Sequence, residues 1–318
     1  MTHDPIDVLI SSGERSTDAY LFRTIAEQVE GYRINTAGSE EELRRRLPYA
    51  KVLLAWGLPV DALRLATRLE WLQVIGAGVD NLMPAKDVLR GVTVTNIRGV
   101  FGRPIAEYVI AYALAHFQRI RHVLAQQRHH AWTQFVPERL EGRTFGIVGL
   151  GSIGTEIARL TAALGARVIG LRRSAAPAPH VERVYAMEEV AEFLCRCDVL
   201  VLALPGTAET SGFMSLERLA MLKPTSFIIN VGRGSALPAA HLVTALDRGL
   251  IAGAAIDVFE QEPLPSESPL WDRADVFITP HVSGINRPEG VAGPIVANLR
   301  RFIAGEPLIN VVDLDRGY

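Results

Sequence analysis

The chain has 318 residues, 48% of them hydrophobic and 21% charged, which excludes a disulfide-held miniprotein and a largely disordered chain. At ordinary domain sizes this is enough for roughly two domains, each burying its own core. The 33 Lys plus Arg offset 35 Asp plus Glu for a formal charge of −2, a balance that gives no support to a broad nucleic-acid or anionic-membrane surface but leaves room for a local basic pocket.

The N-terminal run Met1-Thr2-His3-Asp4-Pro5 lacks the basic segment and long apolar stretch of a secretion signal. Short apolar strands are then predicted at Val8 to Ile10, Val52 to Ala55, Leu72 to Ile75 and Val92 to Val94. The threonines around the last of these suit an edge. Between the strands, Thr17 to Gln28, Glu40 to Leu47 and Asp61 to Arg68 carry the spacing of helices with one buried face. Apolar strands separated by helices favour a parallel sheet covered on both sides.

The texture changes at Arg98-Gly99-Val100-Phe101-Gly102-Arg103-Pro104, where two glycines loosen the backbone and Pro104 suits a first helical turn; a first hinge is placed here. One long helix is predicted from Ile105 to about Gln127. Its stretch from Tyr108 to Phe117 is apolar almost all round, which suggests burial against another domain or subunit. That stretch is far short of the roughly 20 residues that cross a bilayer, so a soluble, cytoplasmic protein with no membrane partner is expected.

A second α/β pattern follows, with strands predicted at Phe145 to Val148, Val168 to Leu171, Val199 to Ala203, Phe227 to Asn230, Ala254 to Asp257 and Val276 to Thr279. The close pair Cys195 and Cys197 has no metal-ligand spacing and no second pair, so no metal site is read and a reducing compartment is implied. Asn286-Arg287-Pro288 marks a second hinge. A closing helix runs from about Glu289 to Ala304, and Leu308 to Val312 is expected to return as a strand to the first domain. The fold class is α/β, with two doubly wound parallel-sheet domains. A first part, 1–98, and a return, 287–318, form a substrate domain; a larger Rossmann-type dinucleotide-binding domain, 99–286, is inserted in it.

Gly149-Leu150-Gly151-Ser152-Ile153-Gly154 matches the dinucleotide fingerprint, between an apolar strand and a helix. Gly149 permits the tight turn, Gly151 lets backbone approach a pyrophosphate, and Gly154 lets helix and sheet pack closely. At the end of the next strand, where an acidic residue would grip the adenosine ribose, stand Arg172, Arg173 and Ser174. A carboxylate there would repel a 2′-phosphate, whereas arginines bind one through charge-assisted bonds. The charge argument therefore favours NADP(H), with NAD(H) still possible; the bland reading is two solvated arginines.

Arg233, Glu262 and His281 each follow a predicted strand in the latter half, on the edge where doubly wound sheets bind ligands. Singly, each has an ordinary reading: a surface charge, a solubilising carboxylate and a satisfied buried histidine. Their joint placement argues for a catalytic set. Asp257 is either a ribose partner at the nicotinamide end or the anchor of its loop.

The segments Gly149 to Gly154, Asn230-Val231-Gly232-Arg233-Gly234, Gly253 to Pro265 and Pro280-His281-Val282-Ser283-Gly284 resemble the D-isomer-specific 2-hydroxyacid dehydrogenase family, its glyoxylate and hydroxypyruvate reductase members in particular. The resemblance covers almost the whole chain. It implies that Arg233 binds a substrate carboxylate, that His281 is the acid/base and that Glu262 pairs with it. It also implies a substrate loop with backbone donors across Ile75 to Asp80, centred on Ala77, Gly78 and Val79, and a homodimer built mainly through the coenzyme domains. Leu204, Pro205, Val231, Gly232, Ser283 and Gly284 join the coenzyme-contact candidates. Two departures from the family pattern stand out: Arg172 in place of a frequent aspartate, and Gly206 in place of a more usual leucine. Trp56 or Trp271 is read as an apolar substrate wall or, blandly, as core filling.

The expected activity is NADPH-preferring reduction of a small 2-keto acid such as glyoxylate or hydroxypyruvate, with domain closure aligning the reactants. Three alternatives remain at this level: a bulkier 2-keto acid, a non-catalytic dinucleotide-sensing interaction protein, and a structural oligomerisation protein built on the apolar helix.

Overall fold

Four-residue runs such as Val52–Ala55, Val199–Leu202 and Phe227–Asn230 are buried at every position, the mark of parallel strands covered on both faces. The computed structural model describes residues 5–285 and 287–317; Met1 to Asp4 of the signal reading and Asn286 of the second hinge lie outside the described residues. The chain divides into two compact units, Met1–Val100 with Asn286–Tyr318, and Phe101–Ile285.

In the first unit, strands β1 (Ile6–Ser11), β2 (Tyr32–Thr36), β3 (Val52–Ala55), β4 (Trp71–Val74) and β5 (Thr93–Thr95) form a five-stranded parallel sheet in the order β2-β1-β3-β4-β5. The threonine-flanked strand is indeed the edge. Strand β2 escaped the sequence reading because Tyr32-Arg33-Ile34-Asn35-Thr36 is largely polar and half-exposed. The segment Asp61 to Arg68, read as an α-helix, is instead a 3₁₀ helix over Val60–Leu65. The expected terminal strand shrinks to one antiparallel bridge, Thr95 to Val311. Buried amides complete that docking: Asn298 Nδ2 donates to Ile309 O at 3.0 Å, and Asn298 Oδ1 accepts from Ile309 N at 2.9 Å.

In the second unit, β6 (Thr144–Val148), β7 (Arg167–Leu171), β8 (Arg183–Tyr185), β9 (Val199–Leu202), β10 (Phe227–Asn230), β11 (Gly253–Ile256) and β12 (Val276–Ile278) form a seven-stranded parallel sheet. Its order, β12-β11-β10-β9-β6-β7-β8, reverses direction between β6 and β9. Doubly wound sheets bind ligands outside the strand ends at such a reversal. Core side chains on the two faces, Phe145 and Ile147 on one and Val148 and Leu202 on the other, belong to separate buried clusters.

The predicted long helix is two. The first, Gly102–Phe117, buries Ile105, Ala106, Val109, Ala113 and Phe117 along one face, within its own unit. The chain then passes through left-handed backbone at Arg119, φ 52°, before a second helix, Ile120–Arg128. Arg121 explains the break. Its guanidinium donates to the carbonyls of Arg273, Ala274 and Val276 and lies 4.1 Å from the Phe277 ring centroid, which fixes a new helix direction. Among the described residues no helix is long and apolar enough to cross a membrane.

Candidate active site

The loops after β6, β9, β10, β11 and β12 all leave the carboxyl edge of one sheet, and each carries a residue singled out by sequence. In the loop after β6, Gly149 has φ 95°, and a Cβ there would lie 2.6 Å from the Ala203 carbonyl oxygen. Only glycine serves such a position. A Cβ on Gly154 would fall 1.9 Å from Gly149 O, so the helix Ser152–Ala163 can sit this close to the turn only without a side chain. Gly151 caps that helix with no side chain of its own and has open space where a Cβ would stand. Uncapped amides, a positive helix end and room beside the backbone fit a dinucleotide pyrophosphate.

At the end of β7 the two arginines differ. Arg172 Nε donates to Ser174 O at 3.1 Å, and its Nη2 reaches the carbonyls of Ala176 and Pro177. Arg173 Nη2 instead meets Glu209 Oε2 at 2.6 Å. On the other side of the reversal, a Cβ on Gly232 would lie 2.6 Å from Leu204 O, so the loops bearing Leu204-Pro205 and Val231-Gly232 are in backbone contact.

The loop after β10 is set by Asn230, which is fully buried. Its Oδ1 accepts from Gly232 N at 3.2 Å and its Nδ2 donates to Arg233 O at 3.0 Å, so one amide side chain shapes the turn that projects Arg233. Arg233 Nη1 donates to Gly232 O at 2.8 Å. Gly234 packs so closely that a Cβ would sit 1.9 Å from the carbonyl carbon of Phe259, joining this loop to the one that carries Glu262.

Glu262 and His281 meet: Nδ1 of the imidazole lies 2.8 Å from Oε2 of the carboxylate, and Oε1 accepts from Phe259 N at 2.8 Å. A carboxylate held by backbone at one oxygen orients the ring at the other, which directs Nε2 away from the pair. His281 has left-handed backbone, φ 54°, unusual for a residue with a side chain. Asp257 holds it there. Fully buried, Asp257 Oδ1 accepts from Thr279 Oγ1 at 2.5 Å and from Val282 N at 2.8 Å, while Oδ2 accepts from Ser283 N at 2.9 Å. Asp257 O also accepts from His281 N at 2.9 Å. Of the two roles its position allowed, these bonds describe the loop anchor. Behind it, the Tyr108 hydroxyl lies 2.8 Å from Thr279 Oγ1, and burial raises the Tyr108 pKa. Gly284 closes the segment, where a Cβ would press on Ile105 at 3.2 Å.

The first unit presents its own loops at the carboxyl ends of β3, β4 and β5. Trp56, 46% exposed, covers Gly76 so closely that a Cβ there would lie 1.6 Å from its ring. Asn96 Nδ2 donates to Ala77 O at 2.6 Å and Ile97 N to Gly76 O at 2.9 Å, which fix the turn through Ala77 and Gly78; Val79 is buried beneath it. Neither Trp56 nor Trp271, half of which is exposed, fills a core. The fully buried tryptophan is Trp71, whose Nε1 donates to Thr95 Oγ1 at 2.7 Å.

The sequence reading did not single out Tyr108, Thr279, Asn230, Asn96 or Glu209. Thr279 and Asn230 stand inside the motifs and were legible as polar residues ending apolar strands; Tyr108 gives no signal in a helix of apolar neighbours. Of the two cysteines, Cys197 is buried, which pushes its thiol pKa up, and Cys195 is exposed. Among the described residues no group of His, Cys, Asp and Glu is arranged to hold a metal ion.

The fold and this edge define a dinucleotide-binding α/β protein with a paired histidine and carboxylate. Residues 110–283 match the family model of the D-isomer specific 2-hydroxyacid dehydrogenase, NAD binding domain. The chain belongs to the D-isomer specific 2-hydroxyacid dehydrogenase family. It is 33% identical over 295 residues to glyoxylate/hydroxypyruvate reductase A of Escherichia fergusonii, covering 87% of this chain and 94% of that protein. A D-isomer specific 2-hydroxyacid dehydrogenase family protein from Aeromonas salmonicida superposes with a TM-score of 0.90 at 35% identity, covering 98% of this chain and 100% of that one. An NADPH-dependent glyoxylate/hydroxypyruvate reductase from Sinorhizobium meliloti, solved with NADP and sulfate, gives 0.90 at 29% identity over 98% and 100%.

Proposed function

We propose that the chain is an NADPH-preferring reductase of small 2-keto acids, with glyoxylate and hydroxypyruvate as favoured substrates. The observation that carries this reading is the 2.8 Å pair of His281 Nδ1 and Glu262 Oε2 on the same sheet edge as Arg233 and the glycine turn. The substrates are those in the names of the Escherichia fergusonii and Sinorhizobium meliloti proteins. Arg172 and Arg173, where an acidic residue would select the free ribose, support the 2′-phosphorylated coenzyme.

The Arg233 guanidinium binds the substrate carboxylate through paired charge-assisted hydrogen bonds and orients the adjacent carbonyl. A bound reduced nicotinamide supplies the hydride. As negative charge grows on the carbonyl oxygen, protonated His281 donates its Nε2 proton there and becomes neutral. Glu262, fixed by Phe259 N, keeps the ring oriented for that transfer. Arg233 also stabilises the developing charge. In oxidation neutral His281 takes the hydroxyl proton back.

The working assembly in this reading is a homodimer through the coenzyme unit. Its support is the helix Ile120–Arg128, which buries none of its residues, together with exposed Trp132 and Val136.

The test is a kinetic matrix crossing NADPH and NADH with glyoxylate, hydroxypyruvate, pyruvate and bulkier 2-keto acids. The reading expects the highest kcat/KM for NADPH with glyoxylate or hydroxypyruvate. A maximum with a bulky acid would move the substrate, and coenzyme binding without turnover on any acid would replace the enzyme by a sensor.

A further inference from the structure

Strand β6 lies between β7 and β9, so any contact between the loops of those two outer strands passes across the end of β6, where the Gly149 to Gly154 turn sits. Such a contact is made by the side chains of Arg173 and Glu209, with Nη2 and Oε2 2.6 Å apart. Arg172 is occupied otherwise, tying the Ser174 to Pro177 segment together through its carbonyls. Glu209 comes from a loop with little freedom. Thr210 Oγ1 donates to Pro205 O at 2.5 Å and accepts from Thr207 N at 3.0 Å, and Ser211 N donates to Thr207 O at 3.0 Å. The carboxylate is thus presented on a braced turn at the side of the crevice where an adenosine ribose would lie.

We propose that Glu209 is a coenzyme-selectivity residue whose carboxylate competes with a coenzyme 2′-phosphate for Arg173 and so holds down the affinity for NADP(H). The inference rests on the NADPH reading above and deepens it. A guanidinium engaged by one anion must exchange it or share it when a second arrives, and a phosphate of charge near −2 is the stronger partner. The pair is open to water, 58% and 71% exposed at its two side chains, so it is weak enough to be exchanged. If Glu209 instead stays in place, its charge repels the phosphate. Both routes give the same sign: without the carboxylate, 2′-phosphorylated nucleotides bind more tightly. A free 2′-hydroxyl brings no competing charge.

The experiment compares wild type, E209Q, R173A and the double variant. Binding of 2′,5′-ADP and 5′-AMP is measured by calorimetry, and binding of NADPH and NADH by fluorescence titration, none of which needs turnover. In E209Q, 2′,5′-ADP and NADPH should bind about 3- to 5-fold more tightly, while 5′-AMP and NADH change less than about twofold. The gain should shrink when Arg173 is already alanine, since competition for the guanidinium is then gone and only repulsion between carboxylate and phosphate remains. Unchanged or weaker NADPH binding in E209Q overturns the assignment of Glu209. If R173A leaves the wild-type ratio of NADPH to NADH affinity unaltered, the NADP reading of the arginines fails instead, so the two failures are distinguishable.

Discussion

At His281 the backbone conformation, φ 54°, costs a residue with a side chain about 1–3 kcal/mol and persists only where neighbours enforce it. Asp257 does so with both carboxylate oxygens, and Thr279 is the side chain that donates to it, at 2.5 Å. Thr279→Val keeps the shape and removes that donor. A hydrogen bond to a buried carboxylate is worth about 1.5–3 kcal/mol, so kcat should fall about 10- to 100-fold if the loss appears at the transition state. Thr279→Ser should restore most of it, and NADPH affinity should stay near wild type in both. Equal losses in the serine and valine variants would reduce Thr279 to packing. At the next link, Glu262→Gln leaves a neutral partner for the imidazole. The ring then loses the charge-assisted bond that orients it, so kcat for keto-acid reduction should fall about 10-fold or more while NADPH affinity stays near wild type. An unchanged kcat would show that Glu262 does not position His281.

Among the elements, the helix Gly102–Phe117 joins the sheet through a titratable contact. His116 stacks on Phe227 of β10 with ring centroids 4.2 Å apart and planes 19° from parallel. Burial makes the charged ring costly and lowers its pKa below the ordinary 6.5. The unfolded chain therefore takes up a proton that the folded helix resists. Stability from this site is complete above about pH 6.5 and declines as pH falls below it. His116→Phe keeps the stack without the titration, so denaturation midpoints between pH 7 and pH 5 should fall less steeply than for wild type. Parallel curves would exclude His116 as a source of acid sensitivity. The elements also mark where sequence patterns stop being legible. Strands buried on both faces, such as Val199–Leu202, announce themselves by unbroken apolar runs. The edge strands β2 and β8 are short and half-polar because one side meets water, and neither was read. The long-helix prediction failed at Arg119 because the apolar pattern continues through the break. What breaks the helix is Arg121 reaching the carbonyls of Arg273, Ala274 and Val276, residues remote in sequence. The candidate site divides likewise. Gly149, Gly154, Arg233, Glu262 and His281 stand in motifs, whereas Tyr108 and Glu209 acquire meaning only from tertiary contacts with Thr279 and Arg173.

For the molecule as a whole, a near-neutral formal charge of −2 places little long-range repulsion between copies of the chain. The second unit leaves Ile120, Val123 and Leu124 of one helix 41%, 41% and 47% exposed, and Trp132 and Val136 beyond it 92% and 90% exposed. Apolar side chains grouped this way favour association over exposure to water. The helix that carries them is also firmly aimed, since Arg121 near its start is bound to three backbone carbonyls and packed on Phe277. In the proposed homodimer, a charged residue at Leu124 tests this face without removing any buried side chain of its own unit. Sedimentation of the wild-type chain at micromolar concentration should give twice the monomer mass. Leu124→Glu should shift it toward monomer with its circular dichroism unchanged. A wild-type chain that sediments as a monomer across that range would sink the dimer, and a Leu124→Glu variant that remains fully dimeric would move the interface to another face.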